Sequence, residues 1–445
     1  MHLSPRPLAV AAGVFLAAGT LTAVAAPAHA DTSPNGVLAY SAWDEDLNYD
    51  IYTFDPATPD VAPLRLTTDG QYNGNADWSP DGTKIVYDGW GTTGGPRIRV
   101  MDTDPATDDH VVLTEPCTDF DCYGDFQPAW SPDGTRIAFV SSRPQLDGTP
   151  HWTYELYVMD ATGEAGALPA ATRLTNDPQE DTGYSIQDSQ VTWSPDGLRV
   201  AWVSQGRGEE RDACDIWSMD SRDLDGDGFG DNMQRLTFDD SFLCSAFEDM
   251  TPAWSPDSSL IAFASPRTGS SDIWLVNAED PTDLRNVTAA VSGYADQPSW
   301  SPDGTQIIFR SDQSGAYEFY SLPVPPPTES VEAAAPRPVK LTSDGVDKSG
   351  ADWGALAGSQ RGTQTLTVGA HRNGTVASTD LTKINCGKDC AATFVSGSRV
   401  QLSAAPRPGY VFVKWLGACR GTAPTCVVRL GTSKAIGAKF APAPE

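Results

Sequence analysis

A short phrase recurs along this chain and limits what it can fold into. It reads Trp78-Ser-Pro-Asp-Gly-Thr, Trp130-Ser-Pro-Asp-Gly-Thr, Trp193-Ser-Pro-Asp-Gly, Trp254-Ser-Pro-Asp-Ser and Trp300-Ser-Pro-Asp-Gly-Thr, with a worn copy at Trp353-Gly. The tryptophans are spaced by 52, 63, 61, 46 and 53 residues. A repeat of that period is one supersecondary unit stacked on its neighbours, and its length fits a four-stranded propeller blade with loops.

Each unit has the same internal grammar. Pro-Ala-Trp130 reads as a short strand, and Ser131-Pro-Asp-Gly134 as a turn in which Pro pre-sets φ and Gly accepts φ > 0. Ile137-Ala-Phe-Val140 is an apolar strand of the buried kind, and Glu155-Leu-Tyr-Val-Met159 alternates as a third strand. Thr172-Arg-Leu-Thr175 supplies a fourth, matched elsewhere by Leu66-Thr67, Leu236-Thr237 and Leu341-Thr342. The ends complete the count. Val37 to Tyr40 and Ile51 to Phe54 read as strands two and three of a blade that lacks its first strand. Ala351-Asp-Trp353 reads as a first strand that lacks the rest. Joining them removes an exposed sheet edge. The expectation is an all-β fold with a six-bladed propeller over residues 36–357, closed by N- and C-terminal strands.

The pattern from Pro128 through Arg173-Leu-Thr175 resembles the WD-like repeats of the TolB propeller family. That resemblance implies a propeller that binds a partner around its channel mouth. Similar propellers also sit in front of peptidase domains, and no such domain follows here. Residues 362–441 resemble a different module, through Leu366-Thr-Val, Cys386 to Cys390, Gly409-Tyr-Val-Phe412, Trp415 to Cys419, Cys426-Val-Val and Ala438-Lys-Phe440. These are similar to the bacterial surface repeat related to the InlB B-repeat, a small β domain of exported and cell-surface proteins. The resemblance implies attachment or spacing and no catalysis. The domains are therefore expected at 1–30 (signal peptide), 31–358 (propeller) and 359–445 (small basic β domain).

The first segment reads as a processing signal. Arg6 precedes an apolar and small-residue run from Leu8 to Ala26, and Ala28-His29-Ala30 is an A-x-A site. The mature chain is expected to begin near Asp31, to be secreted or held at the cell envelope, and to carry no transmembrane segment. Eight cysteines in an exported chain read as disulfides, in the close pairs Cys117/Cys122, Cys214/Cys244, Cys386/Cys390 and Cys419/Cys426. The last four could be drawn as a zinc site, but their spacings are not those of common zinc modules.

Charge is split unevenly. From Arg361 onward there are eleven Lys+Arg against three Asp+Glu, while residues 31–358 carry eighteen against fifty-six. An acidic body with a basic tail makes nucleic acid a poor partner for the body. The tail suits an anionic cell-wall surface.

Catalytic constellations are missing. There is no G-x-S-x-G elbow, phosphate loop or dinucleotide fingerprint. The mature chain has only His110, His151 and His371, in separate regions. The expectation is a non-catalytic scaffold docking a protein or peptide. The alternative is a carbohydrate-active enzyme using propeller carboxylates. Two acidic features stand out. Asp223-Leu-Asp225-Gly-Asp227-Gly-Phe229-Gly-Asp231 resembles the calcium loops of EF-hands and thrombospondin-type repeats. Its candidate ligands are Asp223, Asp225, Asp227, the Phe229 carbonyl and Asp231, holding a structural Ca2+; the other reading is a solvated hairpin. Position twelve is Gln234, where an EF-hand has Glu. The second feature is an acid before most first strands: Asp125, Asp188, Asp249 and Asp296, with Asp347 before the closing strand. Tyr72, Tyr123, Phe247 and Tyr294 accompany them. These acids either ring one channel mouth and attract a cationic partner, or make local hydrogen bonds that hold the blades.

Overall fold

The computed structural model describes residues 35–443 except 92–93, 104–109, 116–122, 144–152, 163–167, 176–185, 208–213, 222–229, 239–249, 325–336, 356–362, 370–372, 379–383, 387–389, 396–398 and 430–433. The described residues are all β and turn. Each tryptophan phrase sits at the end of an inner strand, and each blade is named here by that tryptophan. The Trp130 blade contains Asp125–Trp130, Arg136–Ser141, Glu155–Asp160 and Ala171–Arg173, antiparallel and in chain order. The Trp78, Trp193, Trp254 and Trp300 blades repeat this order. The Trp353 blade takes its inner strand, Lys348–Ala355, from the far end of the propeller and its other three from the N-terminal side. Lys348–Ala355 pairs antiparallel with Asn35–Trp43, with Leu38 opposite Trp353. That is the join read from the two incomplete ends.

Six four-stranded sheets result, and their inner strands pack in succession until the last meets the first. Each second strand places one aromatic at the same register, and Tyr40, Tyr87, Phe139, Trp202, Phe263 and Phe309 are all at most 2% exposed. An aromatic buries the most apolar area per residue, so six of them fill the gaps between blades.

The conserved-looking turn has a definite job in each copy. Ser79 Oγ donates to Asp81 Oδ1 at 2.7 Å, and Asp81 Oδ1 accepts the Thr83 N–H at 3.0 Å. Ser131–Asp133, Ser194–Asp196, Ser255–Asp257 and Ser301–Asp303 repeat the first bond. The fifth position takes a left-handed φ, which glycine fills in four copies. In the fifth copy Ser258 adopts φ 60°, and its Oγ accepts the Asp196 N–H of the preceding blade at 3.1 Å. That link offsets the strain. The Leu-Thr pairs are explained too. Thr175 Oγ1 donates to Glu155 at 2.7 Å and accepts the Leu156 N–H at 3.0 Å, pinning the outer strand to the third. Thr67, Thr237, Thr288 and Thr342 do the same with Asp50, Asp215, Asp272 and Glu318.

Every inner strand carries a bulge. The bulged residues Asn75, Gln127, Gln190, Thr251, Gln297 and Gly350 all have φ between 49° and 63°. Gln190 N–H donates to Gln127 Oε1 at 2.8 Å, Thr251 N–H to Gln190 Oε1 at 2.6 Å, and Gly350 N–H to Gln297 Oε1 at 2.8 Å. Each of these bonds joins one blade to the next.

The C-terminal domain is two four-stranded sheets. One is ordered Cys390–Val395, Thr363–Val368, Lys434–Pro442, Tyr410–Gly417. The other is ordered Asn385–Cys386, Gly374–Ser378, Arg399–Pro406, Thr425–Arg429. Leu366, Val376, Leu402, Trp415 and Ile436 form its core. Cys419 and Cys426 are bonded, with Cα atoms 6.2 Å apart. Cys214 is disulfide-bonded, while Cys117, Cys122 and Cys244 lie outside the described residues, as do the side chains of Cys386 and Cys390.

Thr251 is the one β-branched residue among the six bulges, and a left-handed backbone costs such a residue about 1–2 kcal/mol. Thr251→Asn, the residue type that Asn75 uses at this register, is expected to stabilise the propeller by about 0.5–1 kcal/mol. Denaturant unfolding of the two proteins checks this; an equal or lower midpoint refutes it.

Candidate functional site

The inner strands all begin at one face of the ring, called upper here, and end with their tryptophans at the lower face. The predicted acids lie at the upper mouth. Asp125 and Asp188 open their inner strands fully buried, each 0% exposed. Asp125 accepts from Ser141 Oγ at 2.7 Å and pairs with Arg143 Nε at 3.3 Å. Asp188 pairs with Arg207 at 2.8 Å and accepts the Trp202 indole N–H at 2.9 Å. Asp296 holds Arg310 through two bonds, 2.8 Å from Nε and 2.6 Å from a terminal nitrogen. Asp347 is exposed and accepts the Tyr317 N–H at 3.3 Å. Asp249 and Phe247 lie outside the described residues. Three of the acids therefore engage arginines of their own blades, and local bonding accounts for them.

Those arginines are the residues that sequence reading missed. Each sits at or just beyond the end of a second strand: Arg143, Arg207 and, inside the strand, Arg310. The available signal was one arginine at that point in successive repeats. Burying an ion pair is tolerated when geometry and extra hydrogen bonds compensate for desolvation. The serine, the indole and the two-pronged arginine supply that compensation.

The arginines also carry aromatics. Arg143 lies 5.2 Å over the Tyr123 ring and 5.3 Å over Tyr157, and Arg310 lies 4.4 Å over Tyr317. Arg97 donates to the Tyr123 carbonyl at 2.7 Å. Among the described residues, Asp125, Asp188 and Asp296 thus sit within a frame of arginines and aromatic rings. Trp43, Tyr72, Trp90, Tyr154, Phe238 and Tyr294 are 39–61% exposed, and they are the only exposed large aromatics among the described residues. All six precede first or third strands, or follow second or fourth strands, which places them all at the upper face. Tyr72 stacks on Tyr49 at 4.6 Å between ring centres, and Trp43 lies 4.9 Å from Tyr49. Burial, together with the charges of Tyr49 and Asp88, pushes the Tyr72 phenol up to about 12, so it remains a neutral donor at physiological pH.

Asp88 lies behind this stack. It accepts the Gln127 N–H at 2.8 Å and the Asn75 side-chain amide at 2.7 Å, linking the Trp78 and Trp130 blades. Burial outweighs both bonds and raises its carboxyl from 3.8 to about 6.

The candidate calcium loop falls almost wholly outside the described residues. Of its expected ligands only Asp231 is described, and its backbone carbonyl accepts the Asp220 N–H at 2.8 Å. Among the described residues no group of three or more His, Cys, Asp or Glu is placed to hold a metal ion.

Comparison with known proteins follows the same division. The sequence profile of the TolB beta propeller domain matches residues 232–326, and that of the divergent InlB B-repeat domain matches residues 364–444. No curated protein matches the chain by sequence. Among solved structures, TolB from Acinetobacter baumannii is similar at 21% identity with a TM-score of 0.50, over 72% of this chain and 66% of that one. This chain thus spans just under two thirds of that protein's length. A putative TolB from Agrobacterium tumefaciens aligns at 18% identity and TM-score 0.44 over 69% and 88% of the two chains. An oligogalacturonate lyase from Vibrio parahaemolyticus aligns at 16% identity and TM-score 0.41 over 69% and 79%. At these identities the likeness shows the fold alone. Both resemblances read from the sequence, a TolB-type propeller and an InlB-type repeat, are matched by these comparisons.

Asp88 gives a pH test with a definite sign. Its folded pKa lies above its unfolded value, so the folded state holds the proton more tightly. Its contribution favours folding below about pH 4 and is lost as pH rises to about 6. Asp81 and Asp133 are shifted the other way, since their turn hydrogen bonds outweigh burial, and they favour folding above the carboxylate range. The difference between wild type and Asp88→Asn isolates the one group. Asp88→Asn is expected to be more stable by about 2 kcal/mol at pH 7 and no more stable at pH 4. A stability difference that is flat from pH 4 to 7 contradicts this assignment.

Proposed function

We propose that the propeller is a non-catalytic binding scaffold that docks a protein or peptide partner on its upper mouth. One observation carries the reading: every exposed large aromatic among the described residues gathers at that end. Aromatic side chains dominate the energetics of protein interfaces because they bury much area for few rotatable bonds. The pairs Asp125–Arg143, Asp188–Arg207 and Asp296–Arg310 tie the starts of three inner strands to their own second strands, and a frame held in this way lowers the ordering cost of binding. The fold supports a binding role at the coarse level, since the chain resembles TolB propellers.

The predicted acids keep a part in this proposal, but a different one. Asp125, Asp188 and Asp296 act through the arginines they position, and recognition passes to the aromatics above them. Charge reversal at Asp125 or Asp188 would strand an arginine and bury a lysine, so loss of binding in such variants would report unfolding as readily as docking. The chain is proposed to act outside the cytoplasm after removal of residues 1–30, with the basic C-terminal domain against an anionic wall surface. No helix among the described residues is long and apolar enough to cross a membrane.

The direct test uses the mature full chain as bait for exported proteins of its own cell, beside Trp43→Ala/Tyr72→Ala and Trp90→Ala/Tyr294→Ala. A partner captured by the native chain should bind each double variant at least about 30-fold more weakly, the loss that removal of an aromatic anchor brings. Equal binding by both variants removes the upper mouth from the proposal. Capture of a polysaccharide that is then shortened favours the enzyme reading.

The Asp223–Asp231 loop is proposed to hold a structural calcium ion, on its D-x-D-x-D-G spacing. Calcium at millimolar concentration should raise the melting temperature of the wild type and leave Asp225→Asn/Asp227→Asn unchanged. An equal response from both proteins rejects this site.

A further inference from the structure

The C-terminal domain carries its charge in an arrangement that folding does not call for. Its strand Tyr410–Gly417 lies at the edge of one sheet and pairs antiparallel with Lys434–Pro442. In that pairing Lys414 stands directly opposite Lys439. Both lysines are exposed, and neither makes an ion pair among the described residues. Direct partners on one face have Cβ atoms about 4.5–5.5 Å apart, and like charges so placed oppose folding. The described part of the domain holds no carboxylate to offset them, since its acids Asp380, Asp389 and Glu445 all lie outside it. The pattern recurs in the other sheet, where Arg399 is the register partner of Arg429.

An edge strand gains from one lysine, which discourages pairing with another chain. That accounts for Lys414 but not for Lys439, whose strand has a neighbour on each side. The second charge therefore costs stability without a structural return.

The surrounding face is flat. Trp415 and Ala438 belong to the core, so Lys414, Lys439, Leu416 and Gly437 point outward. Leu416 is 45% exposed on one side of the lysines. Val411, beyond the bulge between Phe412 and Lys414, is 39% exposed on the other. A paired charge on a face without walls does not enclose a small ion; it fits a chain laid along it.

Charge selects the occupant. The propeller, with eighteen Lys+Arg against fifty-six Asp+Glu, is repelled by an anionic polymer, so attraction is confined to the C-terminal domain. Lysine binds phosphate as a point charge, whereas the planar two-pronged grip that suits a carboxylate belongs to arginine. A phosphodiester turns its two free oxygens to different sides, one for each ammonium. The carbon links between phosphates then meet Val411 and Leu416.

We infer that the outer face around Lys414 and Lys439 binds a linear phosphodiester polymer, with one phosphate held between the two ammonium groups. This rests on the proposed contact of the C-terminal domain with an anionic wall surface, and it names the chemistry and the residues of that contact.

Fluorescence anisotropy of a labelled glycerol-phosphate oligomer, titrated at low salt with the mature full chain, reads the site. Polyglutamate and vesicles containing phosphatidylglycerol serve as competitors. The oligomer should bind saturably, and both competitors should displace it less well than unlabelled oligomer does. Lys414→Gln/Lys439→Gln should bind about tenfold more weakly, because each lost lysine forgoes the counterions it would release from the polymer. Arg407→Gln/Arg420→Gln removes the same charge from exposed loops and should lose less than about threefold. Since the lysine pair opposes folding, its variant should melt no lower than the wild type. Equal losses in the two variants overturn the site and leave the wall contact standing. Better displacement by polyglutamate or by vesicles overturns the inference in favour of a carboxylate polymer or a lipid surface. A lower melting temperature in the lysine variant makes the pair structural and overturns it as well. If the native chain binds none of the three probes, the wall contact itself falls.

Discussion

The molecule depends on how each inner strand reaches across to the next blade. A propeller blade shares no sheet with its neighbour, so the ring must be held by packing and by hydrogen bonds made outside the ladders. Here a bulge in every inner strand turns one backbone N–H out of its own sheet, at φ values that few residues tolerate. Amide side chains at the same register, Gln127, Gln190 and Gln297, accept those groups from the following blade. Where they do not, Asp88, the tryptophan backbone N–H groups or the indole of Trp300 make the link. All six interfaces are bonded in this way, and the interface between the Trp353 and Trp78 blades, which joins chain ends, is bonded like the rest. The bulge strain persists because the ring over-determines it.

Much of this was legible in the sequence, and the reason is periodicity. A turn that must repeat keeps its residue types, so Ser-Pro-Asp announces five of the six blades. A threonine that must pin the outer strand keeps its place, so Leu-Thr marks the end of five blades and Val287-Thr288 that of the Trp254 blade. The closing blade could be assembled on paper because each end lacked what the other had. The C-terminal domain was legible for another reason: its glycine, tryptophan and cysteine positions follow a module pattern of their own.

The candidate site was less legible because binding surfaces break the repeat. Asp125, Asp188 and Asp296 were visible as a series, but their arginine partners sit at slightly different registers, beyond the strand at Arg143 and Arg207 and within it at Arg310. An acid series read without its counter-ions looks like a negative field; with them it is a set of neutral clasps. Exposed aromatics gave even less signal. Trp43, Trp90 and Tyr154 belong to no repeated phrase, and a sequence does not tell an aromatic left in solvent from one that fills a core.

The two mouths of the channel thus solve opposite electrostatic problems with the same materials. At the upper mouth Asp125 and Asp188 are matched by arginines and buried, and aromatic faces are left to solvent. At the lower mouth the aromatics are buried, and the acids Asp77 and Asp352 occupy floor positions, each just before a tryptophan, where a serine, a threonine or an alanine serves the other blades. Packing alone gives no reason for that asymmetry, since all six blades share one strand order and five share the Ser-Pro-Asp turn. Stability would favour six neutral residues on the floor and fewer indoles in water. A repeat fold shows its functions where one copy departs from the rest at a cost to folding, and in this chain the departures gather at the two ends of one channel.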